Sequence, residues 1–156
     1  MRFALFAACL VLTAALRAAD VEFVRVWPAW RDAASFEAIG EYFGAAENPR
    51  GQVLVRSQND SRDGYYFLVR TKAAHVPAAG ARFVLELIRP DSPEAKTFAF
   101  PAAFAGKQTV FQLGLTGADW PGGKNAHPVA WRLTLRDGGD RVLAEQKSFL
   151  WEKPAK

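Results

Sequence analysis

The chain has 156 residues, half of them hydrophobic, with a formal net charge of +4, five tryptophans and one cysteine. That length and apolar content suit one ordinary domain with a sizeable core. A lone cysteine excludes a disulfide framework, and no cluster of Lys or Arg marks the chain as a nucleic-acid binder.

Residues Met1 to Ala19 have the order of a secretory signal peptide. Arg2 gives a positive start, Phe3 to Leu16 is an almost unbroken apolar run, and small Ala18 and Ala19 precede Asp20. The run falls short of the roughly 20 residues that a hydrocarbon core demands, so no transmembrane segment is expected. Arg2 and Arg17 belong to this leader, and half of the formal +4 charge goes with them. Cys9 also lies in it. The expected single domain, residues 20–156, therefore holds no cysteine for a disulfide, a thiolate nucleophile or a metal site. Phe6-Ala7-Ala8-Cys9 has a loose lipobox look, but the apolar run before it is too short and continues past it. An exported domain without disulfides suits a bacterial periplasm or the medium around it.

A first strand is expected over Val21–Trp27, ended by Pro28. A short helix, Ala33–Phe43, follows. Asp32 supplies its cap, Phe36, Ile39 and Phe43 share one face, and Gly44 supplies its stop. From there the period changes to two. Gln52–Arg56 and Tyr65–Thr71 read as strands joined by a hairpin turn at Asp63-Gly64. Arg82–Arg89 and Lys96–Phe100 flank Pro90-Asp91-Ser92-Pro93 as a second hairpin. Thr109–Thr116 places Phe111, Leu113 and Leu115 on one side. Val129–Leu135 places Val129, Trp131, Leu133 and Leu135 inward, and Arg141–Trp151 is the last strand. About eight strands with regular turn signals predict a mainly β fold, an antiparallel immunoglobulin-like sandwich, with a small β-barrel as the alternative.

Few residues carry chemistry. His75 and His127 sit in loops without the partners of a catalytic base or a zinc site, so no metal or cofactor is expected. Asn59 to Gly64 resembles the start of a calcium loop, but Arg70 stands where the closing acid belongs. Asn59-Asp60-Ser61 is also a glycosylation sequon, relevant in a eukaryotic host alone. Asp91, Glu94, Glu86 and Glu145 form no pair that sequence places at glycosidase spacing.

The aromatic residues are the remaining signal. Trp27 and Trp30 bracket Pro28 and are expected beneath the helix, Trp131 belongs to the core, and Trp151 closes the sandwich. Trp120 lies in the loop Gly117–Lys124, between Asp119 and Lys124, with few apolar neighbours to cover it. A ring projected there with flanking charge has the composition of a binding hot spot. The sequence thus predicts an exported, non-catalytic interaction or structural module of the bacterial envelope, with Trp120, Asp119, Lys124 and Trp30 as binding residues and a protein as partner. A carbohydrate-binding module is the alternative. It requires at least two of Trp30, Tyr65, Tyr66 and Trp120 to be exposed and coplanar. A third reading, a hydrolase or isomerase, requires a pocket joining distant carboxylates to His75 or His127.

Overall fold

The computed structural model describes residues 20–37 and 51–152. Eight strands form two four-stranded sheets: β1 (Val21–Arg31), β2 (Val53–Arg56), β3 (Gly64–Ala73), β4 (Arg82–Ile88), β5 (Ala95–Pro101), β6 (Gln108–Thr116), β7 (Ala130–Arg136) and β8 (Val142–Lys147). One sheet, here sheet A, has the order β1-β3-β6-β2, and sheet B has the order β5-β4-β7-β8. Each sheet keeps two edge strands, so the described strands close no barrel.

The two sheets face each other across one hydrophobic core. Sheet A contributes Tyr65, Phe67, Val69, Phe111, Leu113 and Leu115, and sheet B contributes Phe83, Leu85, Leu87, Leu133 and Leu135. Edge-to-face rings bind the layers together: Phe83 on Phe111 at 4.8 Å and Phe67 on Trp131 at 5.4 Å. The result is a β-sandwich-like fold, and its inward residues in β6, Phe111, Leu113 and Leu115, are those that the alternation predicts.

The helix expected over Ala33–Phe43 is not seen. A single 3-10 turn spans Ala33–Phe36, and Glu37 is already extended at φ −67°, ψ 131°; residues 38–43 lie outside the described residues. Asp32 caps the turn as expected, with its carboxylate accepting from the Ser35 amide. Within the described part, Phe36 packs onto sheet A. Its ring lies 4.7 Å from Tyr66, with the guanidiniums of Arg31 and Arg56 at 4.6 and 4.9 Å.

Four strand assignments also change. The last strand, expected over Arg141–Trp151, ends at Lys147, and Trp151 lies in a 3-10 turn, Phe149–Glu152, with the Arg132 guanidinium 5.4 Å over its ring. β1 runs through Pro28 to Arg31, because an edge strand with one neighbour tolerates a residue without N–H. The hairpin at Asp63-Gly64 does not form. β2 and β3 lie on opposite sides of β6, and β2 pairs with β6 in parallel, so sheet A is mixed rather than antiparallel. The Thr116 hydroxyl anchors the connection, accepting from the Gln58 amide and donating to the Gln58 carbonyl. In β7, Val129 precedes the strand and is exposed, Trp131 is half-buried, and Ala130 and Thr134 are buried although the alternation puts them outside.

Candidate functional site

The loop Gly117–Lys124 folds inward. It opens with a 3-10 turn at Gly117–Asp119, and Gly117 and Gly123 adopt the positive φ values of 56° and 64° that glycine tolerates best. Trp120 is only 4% exposed. Its ring packs on Tyr65 at 4.6 Å and its Nε1 donates to the Gly123 carbonyl. Arg89, itself buried, holds the turn by donating to the Asp119 carbonyl and pairing with Asp91 at 2.9 Å. The Asp119 carboxylate accepts from Gln58. Across the same end, the Tyr65 hydroxyl meets His127 Nδ1 at 3.2 Å, and burial raises the Tyr65 pKa above its ordinary value. Trp30 is half-buried and pairs across β1 and β3 with Tyr65. Trp30, Tyr65 and Trp120 therefore form an aromatic plug at one end of the sandwich, while Lys124 is exposed outside it.

This arrangement fails the requirement of the carbohydrate reading. Tyr65, Tyr66 and Trp120 are all buried, so none presents a face to a sugar ring. Trp120 acts as a wedge that closes the core.

The outer face of sheet A has a different character. A bulge at Val24 shifts the phase of β1, so that Val26, Pro28 and Trp30 follow Val21 and Phe23 toward the core, while Arg25, Trp27, Ala29 and Arg31 point outward. Register aligns these outward residues in rows across the sheet. Arg25 faces Arg70, Trp27 faces Leu68 and then Gln112, and Ala29 faces Tyr66 and then Gly114. The Tyr66 ring lies flat over Gly114, where a Cβ would stand 2.4 Å from Tyr66 Cε1. Its hydroxyl donates to the Arg62 carbonyl and accepts from Arg56 Nε.

Between the rows runs a cleft of about 290 Å³, lined by Trp27, Ala29, Trp30, Leu68, Tyr66, Gln112 and Arg31. Its floor is apolar. At one side the Arg31 guanidinium donates to the Gln112 side-chain carbonyl at 2.9 Å, and Gln112 in turn donates to Gln52. Trp27 is 54% exposed, with the Arg25 guanidinium 4.4 Å over its ring. Sequence reasoning missed Trp27 as a surface residue, because no single alternation runs through the bulge. The signal that marks it is local: Arg25, Trp27 and Arg31 share one parity after Val24.

A second, polar hollow of about 380 Å³ gathers Asp20, His75, Asp137 and Arg141. Arg141 bridges Asp20 at 3.5 Å and Asp137 at 3.1 Å. Hydrogen bonds from the Arg141 amide hold the Asp137 carboxyl below the usual carboxylate range. Among the described residues, no group of three or more His, Cys, Asp or Glu side chains is placed to hold a metal ion. Asp63, in the calcium-like stretch, instead accepts from the Ala33 amide. Among the described residues no helix is long and apolar enough to cross a membrane. No protein-family model matches the chain, and no curated protein is significantly similar to it.

Proposed function

We propose that the chain is an exported, non-catalytic binding module of the bacterial envelope, with an immunoglobulin-like arrangement, and that it engages a protein partner through the outer face of sheet A. The observation that carries the reading is Trp27: a large aromatic side chain more than half exposed on a regular strand, beside an apolar cleft. Tryptophan is the residue most enriched at binding hot spots, and a strand holds it with little ordering entropy left to lose. The division of strands supports the immunoglobulin-like reading. The first, third and sixth strands lie in one sheet and the fourth, fifth, seventh and eighth in the other, as strands A, B, E and C, C′, F, G do in such domains. The parallel β2 is an addition beside β6. Export rests on the leader Met1 to Ala19. Binding as the role rests on analogy with other sandwiches, joined to this one site.

The experiment is a comparison of three purified proteins lacking the leader: the parent, Trp27→Ala and Lys124→Ala. Each is used to capture partners from an envelope extract of the source cells. Loss of the same captured protein with Trp27→Ala and its retention with Lys124→Ala supports the reading. Equal capture by Trp27→Ala and the parent overturns it. N-terminal sequencing of the exported fraction is expected to start near Ala19 or Asp20.

A further inference from the structure

The outward cations of β1 and β3 differ from those of sheet B, while Arg56 of β2 is engaged by Tyr66 and Phe36. On sheet B, Arg132 pairs with Glu86 at 2.6 Å, and Arg82 and Arg136 both pair with Asp140. On sheet A, Arg25, Arg31, Arg70 and Lys72 have no carboxylate within ion-pairing distance among the described residues, although Glu22 neighbours Lys72 in the register. Arg25 and Arg70 also stand directly opposite each other, both exposed. Like charges in that position destabilise a strand pair. A carboxylate set between them turns the same repulsion into attraction.

The apolar cleft adjoins this pair. Trp27 and Leu68 form the next row, and Arg31 closes the far side. Arg25 and Arg31 lie six residues apart along β1, about 20 Å at strand rise. We infer that this face binds an extended acidic polypeptide segment of about six residues, with a carboxylate on Arg25 and Arg70 at one end and one large apolar side chain in the cleft beyond them. The inference rests on the reading of this face as the binding surface and adds the chemistry of the partner.

Three features select a peptide over other anions. The Arg25 guanidinium covers one face of the Trp27 ring, where a sugar would stack, yet leaves its own N–H edge free for a carboxylate. Arg31 and Gln112, the polar groups of the cleft, are bonded to each other, which leaves little for a polyol to bind. An aliphatic or aromatic side chain needs no such partner. Strand addition along β1 is also disfavoured, because the Val24 bulge and Pro28 interrupt its free edge. The partner lies over the face, along the line of β1, instead.

The test uses a synthetic peptide, Glu-Glu-Gly-Leu-Gly-Glu-Glu, its all-glutamine counterpart, polygalacturonate and phosphatidylglycerol vesicles. Binding to the leaderless protein is followed by tryptophan fluorescence and calorimetry at low and at physiological salt. The acidic peptide is expected to bind in a salt-dependent way and the glutamine peptide about tenfold or more weaker. Arg25→Gln and Arg70→Gln are each expected to weaken the acidic peptide about tenfold, and Trp27→Ala to weaken both peptides. If the two peptides bind equally and the arginine variants match the parent while Trp27→Ala fails, the acidic preference falls and the binding face stands. If Trp27→Ala binds as the parent does, both fall. Binding of polygalacturonate or vesicles but not peptide overturns the partner class, as does binding of no probe. Self-association abolished by Trp27→Ala assigns the face to a second copy and overturns the inference too.

Discussion

Truncating Trp120 to alanine distinguishes a wedge from a contact residue. The indole is 4% exposed, packs on Tyr65 and donates from Nε1 to the Gly123 carbonyl. Replacing a buried tryptophan by alanine costs about 3–5 kcal/mol through lost transfer energy and the cavity left behind. For a domain of this size, each kcal/mol corresponds to roughly 3–5 °C, so the melting temperature is expected to fall by roughly 10–20 °C. Trp120→Phe keeps the contact with Tyr65 and loses the Nε1 hydrogen bond. It is expected to cost less, about 1–2 kcal/mol. Calorimetric melts and urea titrations read both numbers, and capture of partners per folded molecule is expected to be unchanged. An alanine variant that melts within about 2 °C of the parent would show that the ring stabilises nothing, and the wedge would be refuted.

Four further outcomes follow from the same geometry. Gly114→Ala places a Cβ 2.4 Å from the Tyr66 ring and is expected to cost about 1–3 kcal/mol, with most of the penalty relieved in a Tyr66→Ala background in a double-mutant cycle. Because burial raises the Tyr65 pKa above 10.0, the folded state opposes ionisation there. Stability present below pH 10.0 is lost as the pH climbs past it, and Tyr65→Phe should melt with a shallower alkaline fall than the parent. Asp137 has the opposite sign: its support is present above the ordinary value of 3.8 and lost as the pH falls below it. The gap in melting temperature between parent and Asp137→Asn should therefore close in acid. Arg70→Gln, which removes a like-charge pair from an exposed face, is expected to stabilise the free domain by about 0.2–1 kcal/mol in urea titration, and a loss of stability would contradict the unpaired reading of that face.

The legible parts of the sequence were those where local pattern and tertiary environment agree. Phe83, Leu85 and Leu87 in β4 and Phe111, Leu113 and Leu115 in β6 alternate without interruption, and all six are fully buried. The hairpin joining β4 to β5 depends on residues close in sequence, and it formed where the turn chemistry put it. The failures share a different cause. Phe36 has helical spacing to Ile39 and Phe43, but its actual partners are Arg31, Arg56 and Tyr66, and no local window contains Tyr66. The Asp63-Gly64 dipeptide reads as a hairpin turn, yet β2 finds its partner in β6, more than fifty residues away. Trp120 has few apolar neighbours in its own loop. It is covered because Arg89, thirty residues earlier than Asp119, draws that turn down.

Trp120 and Trp27 exchange the roles that their sequence surroundings suggest, and the exchange has one physical origin. A loop can move, so a large ring in it goes where burial is greatest, and here that is the open end of the sandwich above Tyr65. A strand residue has no such freedom. Once the bulge at Val24 sets the phase of β1, Val26 and Trp30 take the inward positions, and Trp27 is left outside whatever the hydrophobic cost. The same phase brings Arg25 opposite Arg70, with no carboxylate in ion-pairing distance of either among the described residues. The exposed indole forgoes burial energy and the like-charge pair opposes the strand pairing, and the proposed ligand, covering the ring and supplying a carboxylate, would provide both terms. The face that folding alone would discard is therefore the one on which binding has most to gain.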